Sequence, residues 1–132
     1  ANYRVGYMMS SAELANYIQT IRLPYNLNTL SQVAAEAAFG DCEFLRSTVE
    51  KNAAERVLWE QTLDEVGGTY YKSGANFIFM SVPNANGLAD AWLAKGYQVR
   101  RGQRDNWLRV TLPTASDGAI MRSILKDYMA RQ

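Results

Sequence analysis

The chain has 132 residues, enough for one ordinary domain with a real core. Hydrophobic residues make up 48% and charged residues 20%, which argues against disorder. With 14 basic and 13 acidic residues the net charge is only +1, so no broad basic field recruits nucleic acid. One cysteine excludes an internal disulfide, and the absence of histidine removes the commonest zinc ligand and general base. No metal site is expected. No apolar run spans a membrane, so a cytoplasmic setting is expected.

Residues 3–9 read as a strand rich in aromatic and branched side chains. The chain opens directly on this stretch without a start methionine, which fits a piece of a longer polypeptide. Ser10 or Ser11 is placed to cap a helix running to about Thr20, with Leu14, Tyr17, Ile18 and Ile21 on its inner face. Pro24 ends that segment. Asn28 or Thr29 starts an alanine-rich helix over about 30–39 that Gly40 closes. Asp41 caps a long helix over about 42–66, with a stripe through Leu45, Val49, Ala53 and Val57, widened by Leu58, Leu63 and Val66. Gly67-Gly68 stops it.

Strands are predicted over 69–72 and 76–82, joined by Ser73-Gly74-Ala75. A turn over 83–87 leads to a short helix from about Leu88 to Lys95. Further strands follow at 97–100 and 107–112, separated by a polar loop. Thr114 and Asp117 form an Asp variant of the capping box for a last helix over about 116–130, with Ile120, Ile124, Leu125 and Tyr128 inward. The order defines an α/β fold: a small mixed or antiparallel sheet covered by helices.

Arg100, Arg101, Arg104 and Arg109 cluster near the last two strands. Guanidinium is a planar fork matched to carboxylate and phosphate. Arg109 interrupts an apolar strand, and alternation puts it on one face with Trp107 and Thr111, opposite Leu108, Val110 and Leu112. One face therefore packs and the other can address a cleft. Arg100 stands at a strand end, and the two arginines suit a ligand with two anionic groups. Arg4 is a third cation in an apolar strand, either an edge snorkel or an anion contact. Tyr25 and Asn26, after Pro24, can present hydroxyl and amide groups, and Asn76 is a strand cap or a donor. Cys42 is read as structural, and Tyr70, Tyr71, Phe77, Phe79, Trp59 and Trp92 as core and sheet packing.

In order, Arg4 to Tyr7, Pro24 to Asn28, Ser73 to Phe77, Gly96 to Arg100 and Leu108 to Thr111 resemble the C-terminal part of a fold-type I aminotransferase, nearest the histidinol-phosphate branch. The resemblance covers essentially the whole chain. It implies a closing strand of a pyridoxal-phosphate-binding large domain over 1–9 and a small domain over 10–132. It implies pyridoxal 5'-phosphate as cofactor, with Arg4 on its phosphate. Arg109 would bind the substrate α-carboxylate, Arg100 the substrate phosphate, and Tyr25 and Asn26 would line the cleft. The reaction implied is amino exchange between histidinol phosphate and 2-oxoglutarate, in histidine biosynthesis, by a homodimer. The Schiff-base lysine would lie about eight residues before Arg4. Lys51, Lys72, Lys95 and Lys126 match no catalytic position, so the chain alone is expected to be inactive. Pro113-Thr114 replaces the usual Gly-Thr after the arginine strand.

Alternatives within the fold are another class I/II aminotransferase or a threonine-phosphate decarboxylase. Outside it stand a non-catalytic module for small anions, and a purely structural domain in which Arg109 pairs with Asp64 or Glu65.

Overall fold

The structure is a computed structural model and describes residues 3–102 and 106–132. Ala1, Asn2 and the loop positions Gln103, Arg104 and Asp105 lie outside the described residues, so the fourth arginine of the cluster is not placed. The described residues form five helices and a four-stranded sheet. The length predicts one domain, but the contacts divide the chain into two compact units, 1–46 and 47–132.

The first unit contains helices α1 (Ala12–Ile21) and α2 (Thr29–Gly40) and the start of α3 (Cys42–Glu65). Their starts follow local chemistry. Ser11 accepts from the Leu14 amide at 3.3 Å, Asn28 from the Ser31 amide at 2.8 Å, and Asp41 from the Phe44 amide at 3.0 Å. The strand expected over 3–9 is not formed. A strand needs a ladder, and this segment pairs with no other among the described residues; Arg4 takes a left-handed φ of 54°. Ser31, the buried residue of α2, instead donates its hydroxyl to the Tyr3 carbonyl at 2.7 Å. The expected inner face of α1 is also corrected: Leu14, Tyr17 and Ile21 are exposed and Ile18 is half-buried.

The second unit is a two-layer arrangement. Strands β1 (Thr69–Tyr71), β2 (Phe77–Ser81), β3 (Arg100–Arg101) and β4 (Trp107–Thr111) lie in the order β1-β2-β4-β3, all antiparallel. Ile78, Met80, Leu108 and Val110 point into a core built with Trp59 and Leu63 of α3, Leu88 and Trp92 of α4 (Ala85–Leu93), and Met121 and Leu125 of α5 (Ala115–Met129). Helices cover this face, and Phe79, Trp107 and Arg109 alternate onto the other.

Several element limits differ from expectation for local reasons. α4 begins at Ala85 because Asn84 adopts a left-handed φ of 47° and caps the Gly87 amide. β3 is shorter than 97–100 because the Tyr97 amide is committed to the Trp92 carbonyl at 2.9 Å, where Gly96 closes the helix at φ 89°. The α3 stop matches a Schellman motif: Gly68 N–H donates to Leu63 at 2.8 Å and Gly67 N–H to Asp64 at 3.3 Å.

The buried face of α3 is only partly the one its leucines and valines mark: Leu63 lies on it and Val66 packs against the core, but the four-residue stripe does not follow it. A strict four-residue spacing turns about 40° per step around the helix, so Leu45, Val49, Ala53 and Val57 spiral off any single face. Glu55, Trp59, Thr62 and Leu63 keep the alternating three- and four-residue spacing and are the buried set, while Leu45, Val49 and Val57 are exposed. On α5, likewise, Gly118, Met121 and Leu125 are buried and Ile120 is exposed.

Candidate functional site

Strand register brings Arg100 and Arg109 together. They are direct cross-strand partners in the β3·β4 ladder, so their side chains leave the same face of the sheet. Like charges in such a pair repel unless an anion lies between them. Neither arginine is ion-paired among the described residues. Arg109 Nε is buried without a partner among them, and its guanidinium carbon sits 5.1 Å from the centre of the Phe77 ring. Arg109 makes no ion pair with Asp64 or Glu65, and each of these carboxylates has another partner. The Tyr70 hydroxyl donates to Asp64 at 3.3 Å, and Lys126 pairs with Glu65.

A cavity of about 500 Å3 opens beside this pair, lined by Tyr71, Phe79, Arg100, Arg101, Gly102, Trp107 and Arg109. A second of about 440 Å3, lined by Gln98, Val99, Arg100, Arg109 and Thr111, flanks the same two arginines. Arg101 lines the first cavity, but its charge is engaged by Asp90 and Asn86 of α4, so it adds no free cation to the pair.

The reading of the aromatics divides. Trp59 and Trp92 are core, 5.9 Å apart edge to face. Tyr71 and Phe79 are not: they stack with Trp107 on the open face, a placement their composition alone does not signal. Asn76 serves the sheet through its carbonyl, which accepts from the Leu112 amide at 2.9 Å. Cys42 is exposed at the start of α3.

In the first unit Arg4 and Asn26 line a cavity of about 240 Å3 with Tyr3, Leu27, Asn28, Leu30 and Ser31. Asn28 caps α2, so this cavity lies at a helix N-terminus. An arginine beside a helix N-terminus is a setting that a phosphate monoester suits, so Arg4 fits the phosphate end of a phosphorylated cofactor, although the Ser31 amide and hydroxyl are already committed to Asn28 and Tyr3. Asn26 also accepts from Arg22 at 2.7 Å. Tyr25 has a left-handed φ of 56°, is fully exposed and does not line the cavity. No cluster of three or more metal-ligating side chains occurs among the described residues. No described helix is long and apolar enough to cross a membrane.

The surroundings of two tyrosines raise their phenol pKa. Burial pushes the Tyr97 phenol above its ordinary 10.0, reinforced by its hydrogen bond to Asp117 at 3.2 Å. Burial likewise raises Tyr70, with the Asp64 carboxylate adding to it. The folded chain holds these protons more tightly than the unfolded chain. Their contribution to stability is therefore complete below pH 10.0 and is lost as pH rises through the raised values. Urea unfolding between about pH 8 and 11 should show stability falling on the alkaline side. The Tyr70→Phe/Tyr97→Phe variant should flatten that fall, and an unchanged slope would contradict the assignment.

An open sheet face carries opposed arginines, and a separate arginine stands at a helix N-terminus; both arrangements offer donors of the kind that carboxylates and phosphates accept. Residues 1–124 match the family described as aminotransferase class I and II, and the chain belongs to it. It is 47% identical to a histidinol-phosphate aminotransferase of Lactiplantibacillus plantarum over 98% of this chain and 36% of that protein. Its fold matches the histidinol-phosphate aminotransferase of Clostridium acetobutylicum with a TM-score of 0.76 at 21% identity, covering 91% of this chain and 39% of that one. It also matches the enzyme of Sinorhizobium meliloti in complex with pyridoxal-5'-phosphate, with a TM-score of 0.74 at 18% identity over 90% and 34%. The chain thus spans little more than a third of the curated relatives it matches.

Proposed function

We propose that the chain is the C-terminal portion of a pyridoxal-phosphate-dependent aminotransferase of the histidinol-phosphate branch, and that it supplies the anion-binding part of the site. Residues 10–132 are the small domain on this reading, and 1–9 the closing strand of a large domain, where the ladder missing from 3–9 would be supplied. The two arginines act together on the anion of whichever substrate is bound: Arg109 holds the α-carboxylate of glutamate or 2-oxoglutarate through its planar fork, and Arg100 holds the phosphate of histidinol phosphate, which carries no carboxylate of its own. Arg4 holds the cofactor phosphate, and Tyr25 and Asn26 border the cleft. When bound, pyridoxal phosphate supplies the electron sink for transfer of the amino group. This chain's own residues bind and orient the anions, and the lysine that moves the proton belongs to the preceding part of the polypeptide. A homodimer and a cytoplasmic setting come with the resemblance.

The observation that carries this reading is the direct opposition of Arg100 and Arg109, with a buried Nε on Arg109 that has no partner among the described residues. Two guanidinium groups on one face gain most from a shared anion. Titration of the chain with inorganic phosphate, followed by calorimetry, should give salt-sensitive binding. Arg109→Ala should weaken it roughly tenfold to a hundredfold, the scale of losing a charge-assisted hydrogen bond. Binding that is indifferent to both Arg109→Ala and Arg100→Ala would refute it.

A further inference from the structure

The open face of the sheet holds a second feature beside the arginine pair. The ladders put Tyr71, Phe79, Arg109 and Arg100 in one cross-strand row over all four strands. Trp107 precedes Arg109 by two residues, so alternation returns it to the same face. Its ring lies 4.7 Å from Phe79 and 5.2 Å from Tyr71, and Tyr71 lies 6.1 Å from Phe79. The three planes are inclined by only 11–24°, so the rings form a stacked shelf rather than an edge-to-face cluster. The helical layer on the opposite face already has its own buried indoles, Trp59 and Trp92, and the shelf takes no part in that core. Its outer member, Tyr71, is 63% exposed.

The same cavity of about 500 Å3 is walled by the shelf and by Arg100 and Arg109. That volume is typical of a small-molecule site. One end offers aromatic surface and the other offers positive charge. A compact ligand with a planar ring a few atoms from an anionic group satisfies both ends at once, whereas an aliphatic anion satisfies only one.

We propose that Tyr71, Phe79 and Trp107 are specificity-determining residues: they select a planar aromatic or heteroaromatic ring on the anion that Arg100 and Arg109 hold. The inference rests on the anion-binding reading above and adds the ring subsite to it. The rings are held parallel before any ligand arrives, so ring recognition costs little ordering of the site.

The test compares phenyl phosphate with cyclohexyl phosphate, which match in charge and approximate size but differ in the ring. Calorimetric titration of the 132-residue chain should find phenyl phosphate bound roughly three- to tenfold more tightly, the scale of one aromatic contact. Tyr71→Leu, a change at an exposed position on an edge strand, should erase that preference while leaving inorganic phosphate binding intact. Trp107→Leu should do the same, with far-ultraviolet circular dichroism to confirm folding. Equal affinity of the wild-type chain for the two esters would overturn the ring subsite and leave the arginine pair standing. A preference that survives both leucine variants would also overturn it. Failure to bind any of the three phosphates would remove both readings together.

Discussion

Arg122→Ala should destabilise the chain by roughly 3–5 kcal/mol, because it strands a carboxylate in the protein interior. Glu55 is 4% exposed and Arg122 12%, and the two are joined by an ion pair between α3 and α5. One Glu55 oxygen takes that pair; the other, Oε2, is buried with no partner among the described residues. Gly118 makes the approach possible, since a Cβ there would overlap the Glu55 carboxylate. Breaking the pair from one side leaves an uncompensated charge, whereas replacing both partners with apolar side chains removes the desolvation cost as well. Urea unfolding should therefore show Glu55→Leu/Arg122→Met recovering most of what Arg122→Ala loses. A loss below about 1 kcal/mol for the single variant would show that water or a nearby cation compensates Glu55. A double variant no better than the single one would show that packing, not charge, sets the cost.

Trp92→Ala should cost a similar amount, roughly 3–5 kcal/mol, through a different cause. Trp92 is fully buried on α4, meets Trp59 of α3 edge to face at 5.9 Å, and donates its indole N–H to the Met121 carbonyl of α5 at 3.0 Å. One side chain therefore ties three helices to the back of the sheet. The consequence reaches the site, because Leu108 and Val110 pack into this core and flank Arg109 on β4. The indole nitrogens separate packing from hydrogen bonding. Trp92→Phe loses a hydrogen bond that the structure makes, whereas Trp59 Nε1 has no partner among the described residues. Thermal unfolding should rank Trp59→Phe as the milder of the two by about 1 kcal/mol. The reverse order would contradict this reading of the core.

Much of the fold was legible because it is decided within a few residues. Ser11, Asn28, Asp41 and Thr114 act as caps where their side chains suit the role, and Thr114 reaches both the Asp117 amide and its carboxylate. Gly67 ends α3 at φ 70° because a left-handed backbone is cheap only without a Cβ. The α3 core face is harder to read for an equally local reason: a strict spacing of four drifts around the helix, and the buried stripe that includes Leu63 also contains a glutamate. Glu55 is tolerated there because Arg122, 67 residues later in the chain, neutralises it.

The candidate site was half legible. Alternation along β4 placed Trp107, Arg109 and Thr111 on one face from the residues alone. It did not tell that Arg100 stands directly opposite Arg109, nor that Tyr71 and Phe79 complete a shelf with Trp107, because register is a relation between strands far apart in sequence. Arg4 shows the same limit from the other side. Its segment has the composition of a strand, yet a strand exists only when another backbone satisfies it.

Composition alone excludes a histidine-based catalyst, an internal disulfide and a strongly basic nucleic-acid surface within these 132 residues. The sequence by itself also determined most of the helix caps and stops and the two-sidedness of β4, since each depends on near neighbours. Tertiary structure alone decided which cations meet: it opposed Arg100 to Arg109, diverted Arg101 to Asp90 and set the aromatic shelf beside the pair. Charge recognition depends on distances between side chains, and antiparallel pairing sets those distances only after the strands have found their register.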